Sequence, residues 1–362
     1  MTLNEWTEQW LETYVKPVAK PSGYEHYCDN MYKHILPKLG NLPMNELTTA
    51  VVQQFLNGEA LHGNLRTGGP LSAKSVKNMR VVLDVCCKRA VADGIMPVNP
   101  VPATVYTHCR SKKLTVLSDD AQATLEKWLF SDLSLNNAGI ILALYTGMRL
   151  GEVCAVRWKG YDAASGTLHI TQTVRRVTID PSAEYGKRTK LVFSAAKTEA
   201  SERSLYLPEV LQGLLTVQWE RFRSLFGRAP NGEDFIIYSA VGGVLDPDHL
   251  SAYWRDVLDG LHLPHVRFHD IRHTFATRAI EQGVDVATVA GLLGHADVTT
   301  THYYVHPREA SMHRAMAAIE PVGKIGHAWQ NTRLFAPAHA EEKIPKTAQR
   351  IHRRRKHIAG CV

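Results

Sequence analysis

Apolar residues recur at helical spacing through the first hundred positions. Trp6, Trp10, Leu11 and Tyr14 mark a first helix, which Pro17 and Pro21-Ser22-Gly23 break. A second is expected from about Tyr24 to Leu36, and a short third after Thr48-Thr49, ending near Gly58. Residues 63–70 read as a loop. A fourth helix starts at Ser72, whose hydroxyl can cap it, and stops at Asp93-Gly94. Its apolar stripe is Val76, Met79, Leu83, Cys86/Cys87 and Ala90. Lys74, Lys77, Arg80, Lys88 and Arg89 lie largely off that stripe, on either a solvated face or one that contacts phosphates.

Pro97, Pro100 and Pro102, then Arg110-Ser111-Lys112-Lys113, look like a linker, because proline stops helices and a charged run stays in water. Beyond it the pattern predicts helices over 119–130 and 137–159. Residues 167–179 are β-branched and alternating, hence a strand. Residues 190–208 read as a hairpin, with Val192-Phe193 on one arm and Ser204-Leu205-Tyr206-Leu207 on the other. Helices return over 209–226, 247–259, 270–282 and 285–293. The fold class is therefore mainly α with a small antiparallel β-sheet, an α+β arrangement.

Composition changes this picture little. Of 362 residues, 44% are hydrophobic and 21% charged, which is ordinary for a globular chain. The longest uncharged apolar run, Ala138 to Tyr145, is far below the ~18 residues of a membrane span. No signal peptide is visible at the start. Six cysteines form no CxxC pair, which argues against a zinc ribbon or disulfide scaffold and fits a reducing cytoplasm. The net charge of +7 comes from residues 321–362, which hold nine basic and two acidic residues; the first 320 carry 33 of each sign. Net charge alone therefore does not argue for a nucleic-acid partner. The tail, with Arg353-Arg354-Arg355-Lys356, reads as mostly disordered.

The candidate chemistry begins with Phe268-His269-Asp270-Ile271-Arg272-His273. His269 and Arg272 are i,i+3 and share one helix face. His269 and His273 are i,i+4, as in HExxH zinc sites, but Asp replaces the Glu and no third ligand follows at a recognised spacing. Alone, these residues are an ordinary polar helix. They gain meaning beside Thr146-Gly147-Met148-Arg149-Leu150-Gly151-Glu152, Ala196-Lys197-Thr198, Leu293-Gly294-His295, and Tyr304 nine residues beyond that histidine.

Together, in this order, the motifs resemble the tyrosine recombinase family of phage integrases, transposon integrases and chromosome-dimer resolvases. The resemblance covers about 114–320, and more weakly 1–113. It implies a helical core-binding domain over 1–112, a catalytic domain over 113–320 and the basic tail over 321–362. It also implies six catalytic residues: Arg149, Lys197, His269, Arg272, His295 and Tyr304. Two guanidiniums would grip the non-bridging phosphate oxygens. Tyr304 would attack, and it outranks Tyr303 because it stands nine residues after His295 and two before His306. Lys197 would protonate the leaving 5′ oxygen, with Lys187 or Lys190 as substitutes because the segment before it is long. Glu152 either orients Arg149 or is a solvent-exposed helix residue.

The implied partners are double-stranded DNA and three further copies of the chain, a homo-tetramer on two DNA sites, with room for an accessory excision factor. The chain would act in the cytoplasm. No GxxxxGK[ST] loop or acidic two-metal cluster is seen, so neither ATP, metal nor another cofactor is expected. No arm-binding module is expected ahead of the core-binding region. Two other classes stay open: a type IB-like topoisomerase, and a DNA-binding protein with a decayed recombinase site.

Overall fold

The computed structural model describes residues 1–105, 116–179, 189–195, 202–295 and 301. The chain divides into two compact units, Met1–Val305 and His306–Val362, and every described residue belongs to the first. Its secondary structure is mostly helical with two small antiparallel sheets.

The N-terminal helices are α1 (Leu3–Trp10, continued by a π-turn to Val15), α2 (Pro21–Asn30, with a π-turn over Met31–Ile35), α3 (Leu36–Leu39), α4 (Thr49–His62) and α5 (Ala73–Ala92). Local chemistry sets their starts. The Thr2, Thr48 and Ser72 hydroxyls each accept a backbone N–H from the first turn of the helix they cap. Trp6, Trp10, Met31, Ile35, Leu56, Val76, Met79, Leu83 and Cys86 then close one hydrophobic cluster. Two buried tryptophans dominate it, and truncating either to alanine would cost about 3–5 kcal/mol. The predicted stripe of α5 is the buried one. The basic residues flanking it divide. Arg80 donates to Thr104 Oγ1 (2.8 Å) and to the carbonyls of Val101 and Pro102. Arg89 pairs with Asp93 and lies 4.0 Å from the Tyr14 ring centre. Lys74, Lys77 and Lys88 are exposed.

A second cluster is built by α6 (Asp119–Ser131), α7 (Leu135–Thr146), α8 (Leu150–Ala155), α9 (Glu209–Phe226), α10 (Pro247–Gly260) and α11 (Phe268–Glu281). Helix α7 is apolar all round and lies inside it, so it carries no amphipathic signature. The last helix, α12 (Val286–Leu293), packs on α11 through Ala276, Val289 and Leu293.

Three expectations change. The helix predicted over 137–159 is broken at Gly147, which sits at φ +64° and ends α7. A Cβ there would lie 2.6 Å from Phe275 Cδ1 and 2.7 Å from Leu293 Cδ2, so conformation and space both demand glycine. The single strand over 167–179 is two strands, β2 (Thr167–Ile170) and β3 (Gln172–Thr178), after the short β1 (Tyr161–Asp162). The predicted hairpin does not form as such. Its first arm, β4 (Thr189–Ala195), pairs with β3, Val174 opposite Phe193. Its second arm, β5 (Arg203–Tyr206), pairs with β2, Leu168 opposite Leu205. Alternation identifies a strand but not its partner. The buried side chains of Leu168, Ile170 and Leu205 place β2 and β5 together over the core.

Candidate active site

The site gathers at the C-terminal ends of α7 and α12, both closed by glycines in the left-handed region. Such ends leave carbonyls without helical partners and carry partial negative charge, so they attract cations. Arg272, on α11, is almost completely buried at 2% exposure. It donates through Nη1 to the Gly147 carbonyl (2.8 Å) and through Nη2 to the Leu293 carbonyl. It thereby joins the two helix ends.

Arg149 follows the turn at Gly147 and directly precedes α8. Its backbone N–H donates to Glu152 Oε2 (2.9 Å), its Nη1 to Glu152 Oε1 (2.8 Å), and its Nη2 reaches the Gly294 carbonyl at 3.5 Å. The Arg149 side chain is 37% exposed, so the guanidinium keeps a face toward solvent while its base is held. Glu152 is buried and orients Arg149, as one of its two sequence readings proposes. Burial alone would raise the Glu152 pKa. The hydrogen bonds and charges of Arg203 and then Arg149 outweigh it and hold the carboxyl below its ordinary value.

Arg203, the first residue of β5, is a site residue that the motif pattern did not single out. Its Nη2 and Nη1 donate to Glu152 Oε2 and Oε1 at 2.8 and 3.3 Å, and its Nε to the Leu292 carbonyl at 2.7 Å. One sequence signal could have marked it: Arg203 shares the period-2 face of Leu205, which points into the core.

His269 and His273 lie one turn apart on α11, with ring centres 4.9 Å apart and nearly perpendicular. Burial first, then the charges of His273, Arg272 and Arg149, push His269 down to about 4. The residue is nonetheless exposed at the surface, so solvent screening leaves that shift with little free energy. Burial, then Arg272, Arg149 and Arg203, likewise push His295 to about 4. Both imidazoles are thus neutral near pH 7, and each can accept a proton or donate from one nitrogen. The His295 Nδ1 lies 2.8 Å from the hydroxyl oxygen of the buried Thr301. Asp270, where a zinc protease would have its Glu, instead accepts from the backbone N–H and guanidinium of Arg267 and caps α11. Among the described residues no group of three or more His, Cys, Asp or Glu could hold a metal ion.

The structure therefore brings Arg149, His269, Arg272 and His295 into one electrostatic neighbourhood. Lys197, Tyr303, Tyr304 and the alternative Lys187 lie outside the described residues. Lys190 is exposed on β4, opposite Val177.

Comparisons with known proteins agree with this architecture. A profile described as the phage integrase family matches residues 121–311, and one described as phage integrase, N-terminal SAM-like domain, matches residues 2–59. The tyrosine recombinase XerC of Anoxybacillus flavithermus is 30% identical over 302 residues, 82% of this chain and 92% of the relative. A XerC-like tyrosine recombinase of Caldanaerobacter subterraneus is 25% identical over 328 residues, 84% of this chain and 79% of the relative. Among solved structures, the Tn1549 transposon integrase in complex with transposon right-end DNA has a TM-score of 0.69 at 16% identity, covering 88% of this chain and 99% of that one. A lambda integrase tetramer bound to a Holliday junction has a TM-score of 0.61 at 19% identity, covering 85% and 80%. At such identity the structural likeness speaks to the fold. With one profile spanning more than half of the sequence, including the segments that carry both arginines and both histidines, the chain belongs to the phage integrase family.

Proposed function

We propose that this chain is a site-specific DNA recombinase that cuts and rejoins duplex DNA through a phosphotyrosine. The observation that carries this reading is the pair of guanidiniums, Arg149 and Arg272, tied to adjacent carbonyls at the end of α12 beside two neutral imidazoles. A phosphodiester is an anion whose attack places more charge on its non-bridging oxygens. Fixed cations stabilise that charge without reorganising at the moment of reaction. Losing one such donor would cost about 3–4 kcal/mol, or 10²–10³ in rate.

The remaining roles are those that the resemblance to tyrosine recombinases implies. The Tyr304 phenol attacks phosphorus and its proton passes to His269. The bond from phosphorus to the 5′ oxygen breaks, and Lys197 gives that oxygen a proton. His295 donates to a non-bridging oxygen. The products are a 3′-phosphotyrosyl link and a free 5′-hydroxyl. A 5′-hydroxyl from a second duplex then attacks the link, expels Tyr304 and reseals the strand. The ester energy is kept throughout, so the cycle needs no ATP, and no step above uses a metal.

In this proposal residues 1–112 form the core-binding domain, 113–320 the catalytic domain and 321–362 a basic tail. Four chains act on two DNA sites through a four-way junction, in the cytoplasm, with an accessory excision factor setting direction. Phosphate contacts dominate affinity, which falls steeply with salt.

The test is a nicked half-site oligonucleotide that traps the covalent intermediate. Wild type is expected to leave a protein–DNA adduct. Tyr304→Phe should bind DNA and leave none, while Tyr303→Phe keeps it. A wild-type chain that binds but never links to DNA would overturn the proposal in favour of a decayed site. Relaxation of supercoils without recombination between paired sites would overturn it in favour of a topoisomerase.

A further inference from the structure

The last three carbonyls before His295 are each held by a different arginine. Leu292 O accepts from Arg203 Nε (2.7 Å), Leu293 O from Arg272 Nη2, and Gly294 O from Arg149 Nη2 (3.5 Å). These arginines come from β5, α11 and the start of α8, so three remote segments meet on one helix end. The two candidate phosphate clamps are Arg149 and Arg272. Arg203 differs from Arg149 in exposure, its side chain being 6% exposed against 37%. It differs too in where its nitrogens point: Nε to Leu292 O, and both Nη atoms to the Glu152 carboxylate. Glu152 in turn grips the guanidinium and the backbone N–H of Arg149.

Resting on the recombinase function above, we propose that Arg203 is a positioning residue: it neutralises Glu152 so that Arg149 can spend its charge on the scissile phosphate, and it fixes the peptide that presents His295. The electrostatics follow from who shares the carboxylate. With Arg203 in place, one negative charge is divided between two cations. Without Arg203, the carboxylate faces Arg149 alone, draws it from the DNA and cancels more of its field. At the same time the Leu292 carbonyl loses its donor at a buried helix end, which loosens the approach to His295. Lysine cannot replace this, because its single ammonium cannot span both carboxylate oxygens and a carbonyl in a fork.

A charge-deleted substrate tests the inference. Arg203→Met and Arg203→Lys are compared with wild type in single-turnover adduct formation on two nicked half-sites. One carries the natural phosphodiester and the other a methylphosphonate at the scissile position, which lacks one anionic oxygen. On the phosphodiester, Arg203→Met should be slowed ~30- to 100-fold and Arg203→Lys ~10-fold, below the full loss of a clamp arginine. On the methylphosphonate both should stay within ~3-fold of wild type, because less charge has to be stabilised there. A residue that merely supports the fold would slow both substrates alike, and that result overturns the inference, as would unchanged phosphodiester rates. If Arg203→Met does not fold, the two substrates of Arg203→Lys still decide. A wild type that forms no adduct with either substrate sinks the recombinase function itself, which is a separate and visible failure.

Discussion

Glu152→Gln removes one charge and almost no volume, so it isolates what the carboxylate does. Glu152 accepts from Arg149 N and Nη1 and from Arg203 Nη1 and Nη2. The Arg149 half of this network is partly wet, and such a pair contributes only about 0–1 kcal/mol. The Arg203 half is dry on both sides, each side chain being 6% exposed. Removing one partner of a buried pair typically costs 3–5 kcal/mol, because the other charge stays buried without its counterion. Glutamine retains one acceptor oxygen, so the expected loss is about 3 kcal/mol. For a chain of this size, with a urea slope near 3 kcal/mol per molar, the midpoint should fall by about 1 M. The double variant Glu152→Gln/Arg203→Met removes both partners of the dry half. It should be less destabilised than the sum of the single variants by ~2 kcal/mol. A Glu152→Gln midpoint within 0.2 M of wild type, or additive single variants, would refute the account of a buried network held by this carboxylate.

Two further outcomes can be checked on the same material. Gly147→Ala forces an alanine to φ +64° and drives its Cβ into Phe275 and Leu293. The conformation alone costs about 1–2 kcal/mol and the overlap adds to it, so thermal denaturation should show a loss of ~2–4 kcal/mol together with slower cleavage, since the Gly147 carbonyl holds Arg272. Stability should also fall as pH drops from about 6.5 toward 4. In that window the unfolded chain protonates His269 and His295, while the folded chain, with both pushed to about 4, does not. Comparing urea midpoints at pH 7 and pH 5 should show this loss, and a His269→Gln/His295→Gln variant should show less of it; equal slopes would contradict the assignment.

How much of this was visible in the sequence depended on how local the cause was. Ser72 and Gly94 mark the ends of α5, and the stripe from Val76 to Ala90 is buried as its spacing predicts, because caps and amphipathic faces are written within a few residues. Gly147 was visible as a place to turn, though the pattern carried the helix through it. Strand partners were not visible. Val192-Phe193 and Ser204-Leu205 alternate equally well, and only the packing of β2 on the core decides which arm pairs with which strand. The arginines divide in the same way. Arg149 and Arg272 stand in motifs, whereas Arg203 acquires its place from Glu152, 51 residues away, and from Leu292, 89 residues away. Arg80 and Arg89 read from the sequence as part of a solvated or phosphate-contacting face, but Thr104, Asp93 and Tyr14 engage them.

Three guanidiniums pinned to successive peptide oxygens also act as an assembly interlock. The three cations stand together only when β5, α11 and the segment before α8 have all docked on this helix end. On the proposed function, a half-folded molecule would therefore lack the tools to break DNA, and a chromosome would be spared cuts by an immature enzyme that has no means of sealing them.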